Sequence, residues 1–171
     1  MGLLHYPLRF ECGDLDEVVD HLHEMQRLAD GRRWANFRPV LPDEVMARAG
    51  KRPSIFSARG PLIPNGTWVP TWTNRKGEVT PTQAGLEHSA GREAATALAD
   101  AGIDLPDRWL VQQNHTKRGM TFVLPDHQNP AIAVDFLTRA GIVLAGVPVT
   151  DKWVAIFMIQ ERGRRGAPDR G

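Results

Sequence analysis

Among its 171 residues the chain has a single cysteine, Cys12. One thiol excludes an intramolecular disulfide and any zinc cluster built on cysteines. Its position at the end of an apolar stretch predicts a buried thiol rather than a reactive one. Long apolar runs are missing as well. Nothing approaches the roughly 18 consecutive apolar residues of a membrane span, and Met1 to Phe10 lacks the basic start and apolar core of a secretory signal. The expectation is a cytoplasmic protein with no membrane partner.

The motifs of several large enzyme classes are absent too. The G-x-G-x-x-G dinucleotide fingerprint does not occur. Gly85 to Gly91, followed by Arg92 and Glu93, is one residue too long for a phosphate loop and lacks its lysine and hydroxyl residue. The only serines are Ser54, Ser57 and Ser89, none in a G-x-S-x-G turn. No cofactor and no metal site is expected. His21 and His23 lie two apart on a predicted helix, roughly 200° around its axis from each other, and cannot share an ion. Both fall off the apolar stripe and are expected in solvent.

What is present reads as one globular domain. A hydrophobic fraction of 42% and a charged fraction of 24% are ordinary, and a chain of this length buries roughly 70% of its unfolded surface. The expected fold is α+β: a mixed, mostly antiparallel sheet packed by about three main helices, over residues 1–160. Residues 161–171 hold Arg162, Arg164, Arg165 and Arg170 with almost no apolar side chains, and predict a disordered basic tail.

Tyr6 to Cys12 reads as a strand. Asp14 and Glu17 form a capping box before the stripe Leu15, Val18, Val19, Leu22, Met25 and Leu28, which Gly31 ends. Pro42 to Ala49 is a second helix. Thr67–Thr73 and Glu78–Thr80 are predicted strands joined by the turn Asn74–Gly77. In an unbroken strand Trp68 and Trp72 would share a face, and Pro70 argues for an edge position. Thr80–Gln83 resembles a helix start leading to Ala101, with Gly85 and Gly91 allowing a start only at Ser89. Trp109–Thr116 and Met120–Leu124 form a hairpin, Asn129 caps a helix from Pro130 to Ala140 that closes on Gly141, and Ile142–Val149 and Trp153–Gln160 are the last strands. The Trp153 strand is apolar throughout and should lie centrally.

Leu98 to Val111 and Leu137 to Val154 share an Ala-Gly-Ile block followed by a tryptophan-opened strand. A duplicated helix-to-strand unit and a packing solution reached twice both stand open. On either reading Trp109 and Trp153 are core anchors.

Charge is unevenly spread. Acids dominate from Met1 to Asp30, whereas from Gly31 to Lys76 nine bases face only Asp43 and Glu44. Aromatics lie among these bases, and the candidate binding residues are Arg32, Arg33, Trp34, Arg38, Arg52, Arg59, Trp68, Trp72, Arg75 and Lys76, with Lys117 and Arg118 at a hairpin tip extending the surface. Cations release counterions from phosphate backbones and flat rings stack on unpaired bases, so this set predicts a non-enzymatic module for a polyanion, foremost single-stranded nucleic acid. One alternative is a small-molecule enzyme or sensor under the 51–82 loop, using His115, Asp126 and His127. Another is docking of a partner protein through exposed tryptophans.

Overall fold

A computed structural model describes residues 2–49 and 59–161. The predicted tail and the site candidate Arg52 therefore lie outside the described residues, apart from Glu161. The elements, in chain order, are β1 (Leu3–Glu11), α1 (Asp16–Leu28), β2 (Arg33–Pro39), α2 (Asp43–Ala49), β3 (Asn65–Val69), β4 (Trp72–Thr73), β5 (Val79–Thr80) and β6 (Gln83–Glu87). A single 3₁₀ turn, Gly91–Glu93, then leads into α3 (Ala94–Asp100), β7 (Leu110–His115), β8 (Gly119–Val123), α4 (Pro130–Leu144) and β9 (Lys152–Gln160).

Seven strands make one sheet in the order β1-β9-β2-β3-β6-β8-β7, and β4 pairs with β5 as a separate ribbon. Every pairing is antiparallel. β9 lies between β1 and β2, and β8 between β6 and β7, so both β-α-β crossovers are split by a later strand. The sheet and its helices form the single α+β domain that the pattern predicts, and β9 takes the interior place its apolar sequence requires.

Alternation along each strand decides which face is covered. Phe10, Trp153, Ala155, Ala35, Phe37, Trp68, Leu86, Ala84 and Phe122 all point to one side and are buried there. They meet Val18, Leu22 and Met25 of α1 and Ala133, Val134, Leu137 and Ala140 of α4 in one core. Trp109 closes the far end, with its ring 5.4 Å from Phe122 and 5.1 Å from Phe136 and its indole N–H donated to Gln128 at 2.7 Å. Cys12 is half-buried and packs against this core, where desolvation pushes its thiol above the ordinary value. The thiol is therefore held in its neutral, unreactive form.

Several local expectations are corrected. Asp14 does not cap α1: its amide bonds back to Glu11, and the helix starts at Asp16 behind Leu15 with no side-chain cap. The chain leaves α1 through Ala29 in the left-handed region, two residues before Gly31. His21 is only partly solvated, with its ring stacked 4.9 Å from Phe157 and 5.6 Å from Tyr6, whereas His23 is exposed. Pro70 ends β3, which is an interior strand, so Trp68 and Trp72 belong to different sheets.

Gln83–Glu87 is strand β6, not helix, and the helix that follows it is the short α3. At the other end Asn129 does cap α4, accepting from the Ala131 amide at 3.0 Å with Pro130 in the first turn. That helix runs through Gly141 to Leu144, and no strand follows until Lys152. The two Ala-Gly-Ile blocks therefore do different work. Gly102 has φ +67° and stops α3, while Gly141 sits inside α4 because a β-carbon there would lie 2.7 Å from the Trp153 ring. Both blocks still lead from a helix to a strand, and both tryptophans are core anchors.

Candidate functional site

The helices α1 and α4 pack on one side of the sheet, and the alternate residues of each strand form the other face, where Trp34, Asn36, Thr67, Val69, Gln83, Gly85, Thr121, Val154, Ile156 and Met158 are all only partly buried. Register lines them into rows. One row runs Pro7, Ile156, Asn36, Thr67, Gly85, Thr121 and Gln113 across all seven strands. A neighbouring row runs Arg9, Val154 and Arg38, then Asn65 and Glu87. Trp34 lies one step beyond the last registered pair of β2 and β3, level with Val69.

Side chains bond along these rows. Thr67 donates its hydroxyl to Asn36 Oδ1 at 3.0 Å. Arg38 Nε donates to Asn65 Oδ1 at 3.1 Å, and Asn65 Nδ2 donates to Glu87 Oε2 at 3.1 Å, a relay over three strands. Because Gly85 has no side chain, the middle of the face is hollow. A groove of about 300 Å³ opens there, walled by Asn65, Thr67, Gln83, Glu87, Arg118 and Thr121 among others. The β7–β8 turn is pressed onto the groove's end: Gly119 has φ +81°, and a β-carbon on it would lie 2.1 Å from the Leu86 carbonyl and 2.9 Å from Glu87 Cα. Closer to the β1 edge, Arg9 and Pro7 line a second hollow with Met46 of α2.

The basic and aromatic set is divided by the fold. Trp34 and Arg38 stand on the face opposite α1 and α4 and Arg118 on the groove wall, with Lys117 beside it in the turn. Arg32 and Arg33 are instead committed to Asp30, each 3.1 Å from Oδ2. Burial alone would raise the Asp30 carboxyl, but the Arg32 amide, the Arg33 guanidinium and the charges of both arginines outweigh it and hold it below the ordinary aspartate value. Trp68 is 1% exposed, deep in the core, and cannot stack on a ligand. Trp72 lies flat over Gly31, whose added β-carbon would meet its ring at 2.6 Å, and so ties the β4–β5 ribbon to the turn before β2. Arg75 and Lys76 are exposed at the tip of that ribbon, and Arg59 lies beside Gly91.

The residues of the catalytic alternative lie apart on the β7–β8 hairpin. His115 pairs with Gly119 at the turn end of the β7–β8 hairpin, while Asp126 and His127 follow Val123 at the opposite end. Four strand steps of roughly 3.3 Å put about 13 Å of β8 between the ends. His115 is occupied in its own turn, where Nδ1 accepts from the Lys117 and Arg118 amides at 3.1 and 3.2 Å. Among the described residues no group of three histidine, cysteine or carboxylate side chains could hold a metal ion.

Sequence reasoning missed most of the groove. Asn65, Gln83, Glu87 and Thr121 are polar residues spread over three strands, and only their register brings them together. It also passed over His88, which is fully buried at the end of β6 with neither ring nitrogen hydrogen-bonded among the described residues. Desolvation holds its pKa below the ordinary histidine value. No described helix is long and apolar enough to cross a membrane. Compared with protein-family models, with curated proteins and with solved structures, the chain matches none, so the reading of this face rests on its own residues.

Proposed function

We propose that the chain is a binding module that holds single-stranded nucleic acid across the uncovered face of its sheet. One observation carries the reading: β2 presents Trp34, Asn36 and Arg38 in alternation on the face opposite α1 and α4. A partly exposed indole offers a stacking surface to any base, and an arginine four residues along the same face binds backbone phosphate. Arg9 and Arg118 extend the cationic line to either side, and Asn36, Thr67, Gln83 and Thr121 supply donors and acceptors for base edges. Antiparallel sheets with one free face and aromatic residues on it are a recurrent way to hold unpaired strands.

The test is fluorescence polarisation with labelled single-stranded DNA and RNA ten-mers at 50 and 200 mM salt. Three phosphate contacts on a single strand give a log–log salt slope of about −2, which is roughly a 15-fold loss of affinity over that range. Affinity that is absent at 50 mM salt, or equal at both, overturns the reading.

Docking of another protein is a second reading, favoured by the β1 edge, where Leu3, Leu4 and Tyr6 are each about half exposed. Pro7 interrupts the free edge of that strand and limits strand-to-strand pairing there. Sedimentation velocity that shows no association up to 100-fold dilution from a concentrated sample removes self-association from this reading.

A further inference from the structure

A surface meant only for phosphates has no use for a carboxylate, yet Glu87 stands in the groove beside Arg118. It is also oriented. Arg38 fixes the Asn65 amide, and Asn65 in turn donates to one Glu87 oxygen. An ionised carboxylate offers about four acceptor sites in one plane, of which Asn65 uses one. The contact between the β7–β8 turn and the Glu87 backbone sets the Arg118 wall next to this carboxylate. The groove, at about 300 Å³, is at the lower end of small-ligand sites and suits one flat ring system.

Each of the two carboxylate oxygens thus keeps a free acceptor site, and the pair matches two parallel donors. Guanine presents N1–H and the N2 amine side by side on its Watson–Crick edge. Adenine and cytosine present one amine beside an unprotonated ring nitrogen, whose lone pair would face the carboxylate, and uracil presents a single N–H between two carbonyls. From this we infer that the groove is a guanine-selecting subsite, with Glu87 reading the base edge, Arg118 supplying a donor for O6, Asn65 as a positioning residue, and Arg38 both holding Asn65 and meeting phosphate. The inference rests on the nucleic-acid reading above. Adjacent strands are about 4.8 Å apart, so Arg38 and Glu87 stand about 10 Å apart across β3, a span of the order of that from a nucleotide's phosphate to its base edge. One nucleotide could thus set its phosphate on Arg38 and its base on Glu87.

The experiment is a competition titration of the full chain with oligouridine eight-mers carrying a single central G, A or C, repeated with Glu87→Gln and Asn65→Ala. The G-bearing strand is expected to bind roughly tenfold tighter than the others, the effect of one bidentate base contact. In Glu87→Gln that preference should fall to within twofold, while plain oligouridine binds as well as before or better because a charge that repels phosphate is gone. Asn65→Ala should reduce the preference and keep the salt dependence. Equal binding of all the eight-mers by the parent chain overturns guanine selection and leaves the nucleic-acid reading intact. Preference that survives Glu87→Gln overturns the role of Glu87, and failure of every strand to bind at low salt overturns the underlying reading.

Discussion

Trp34 and Trp68 stand on adjacent strands of one sheet, one register step apart, and face opposite ways. Trp68 pairs with Ala35 and Ala84 and is sealed against the helices. Trp34 lies level with Val69 on the side that the helices leave free, and stays half-buried. Two rings of the same chemistry thus serve folding on one face and remain available to a ligand on the other. Parity along the strand, not residue type, makes the difference.

The comparison breaks most sharply by truncation. Trp68→Ala should cost about 3–5 kcal/mol of stability, as removal of a fully buried aromatic does, and chemical denaturation of the purified variant measures it. Trp34→Ala, at a partly buried position, should cost about 1–2 kcal/mol of stability, well below Trp68→Ala, and should weaken single-strand binding by the roughly 1–3 kcal/mol of one lost base stack. If Trp34→Ala unfolds the chain instead, the uncovered face is structural and the contrast between the two tryptophans fails.

A second contrast involves acid. His88 is sealed without a hydrogen bond, at the point where β6 hands over to the buried Ser89. Its folded pKa is depressed by desolvation, so the unfolded chain binds a proton more readily. Stability is therefore complete above the ordinary histidine value near 6.5 and is lost as pH falls below it toward the depressed folded value. The loss approaches about 1.4 kcal/mol per pH unit within that window. Denaturation at pH 7.5 and pH 5 should show this loss in the parent chain and a smaller one in His88→Leu, which carries no proton and leaves no unpaired nitrogens. Equal pH dependence in both proteins removes His88 from the account. The uncovered face has no such sealed group, and Trp34→Ala should keep the parental pH dependence.

The covered face was largely legible in the sequence because its signals are local. The α1 stripe, the Asn129 cap with Pro130, and the Asn74–Gly77 turn, where the Asn74 side chain accepts from the Lys76 and Glu78 amides, each repeat their cause within a few residues. β6 was not legible. Thr80–Gln83 mimics a capping box, but Thr80 ends β5, where its carbonyl accepts from the Thr71 hydroxyl at 2.9 Å, and only Ala84 and Leu86 carry the strand's apolar phase. The site divides in the same manner. The alternation of Trp34, Asn36 and Arg38 can be read from β2 alone, whereas Glu87 joins Asn65 and Arg38 only through a register that no single strand encodes. Trp68 and the Asp30-bound arginines joined the predicted set because composition counts residues without knowing which way they point.

Two glycines give the finest version of the contrast. At Gly141, on the covered side, an added methyl would lie 2.7 Å from the immobile Trp153 ring, which is fully buried. Gly141→Ala should therefore cost up to about 2 kcal/mol, an overpacking penalty of about 1–3 reduced by the roughly 1 kcal/mol that alanine gains over glycine inside a helix. At Gly85 the same methyl would stand 3.5 Å from the Met120 carbonyl and 3.7 Å from Thr121 Cγ2, ordinary contacts, and would project into the groove. Gly85→Ala should raise stability by about 0.4–1 kcal/mol, through the reduced freedom of the unfolded chain. Binding should move the other way, by a few-fold, because the methyl occupies the floor on which a base would lie. Melting temperature and dissociation constant, measured on the same preparation, are expected to rise together. A variant with a raised melting temperature and unchanged affinity would mean that the ligand does not enter the groove, and would confine the interface to the Trp34 and Arg38 side of the face.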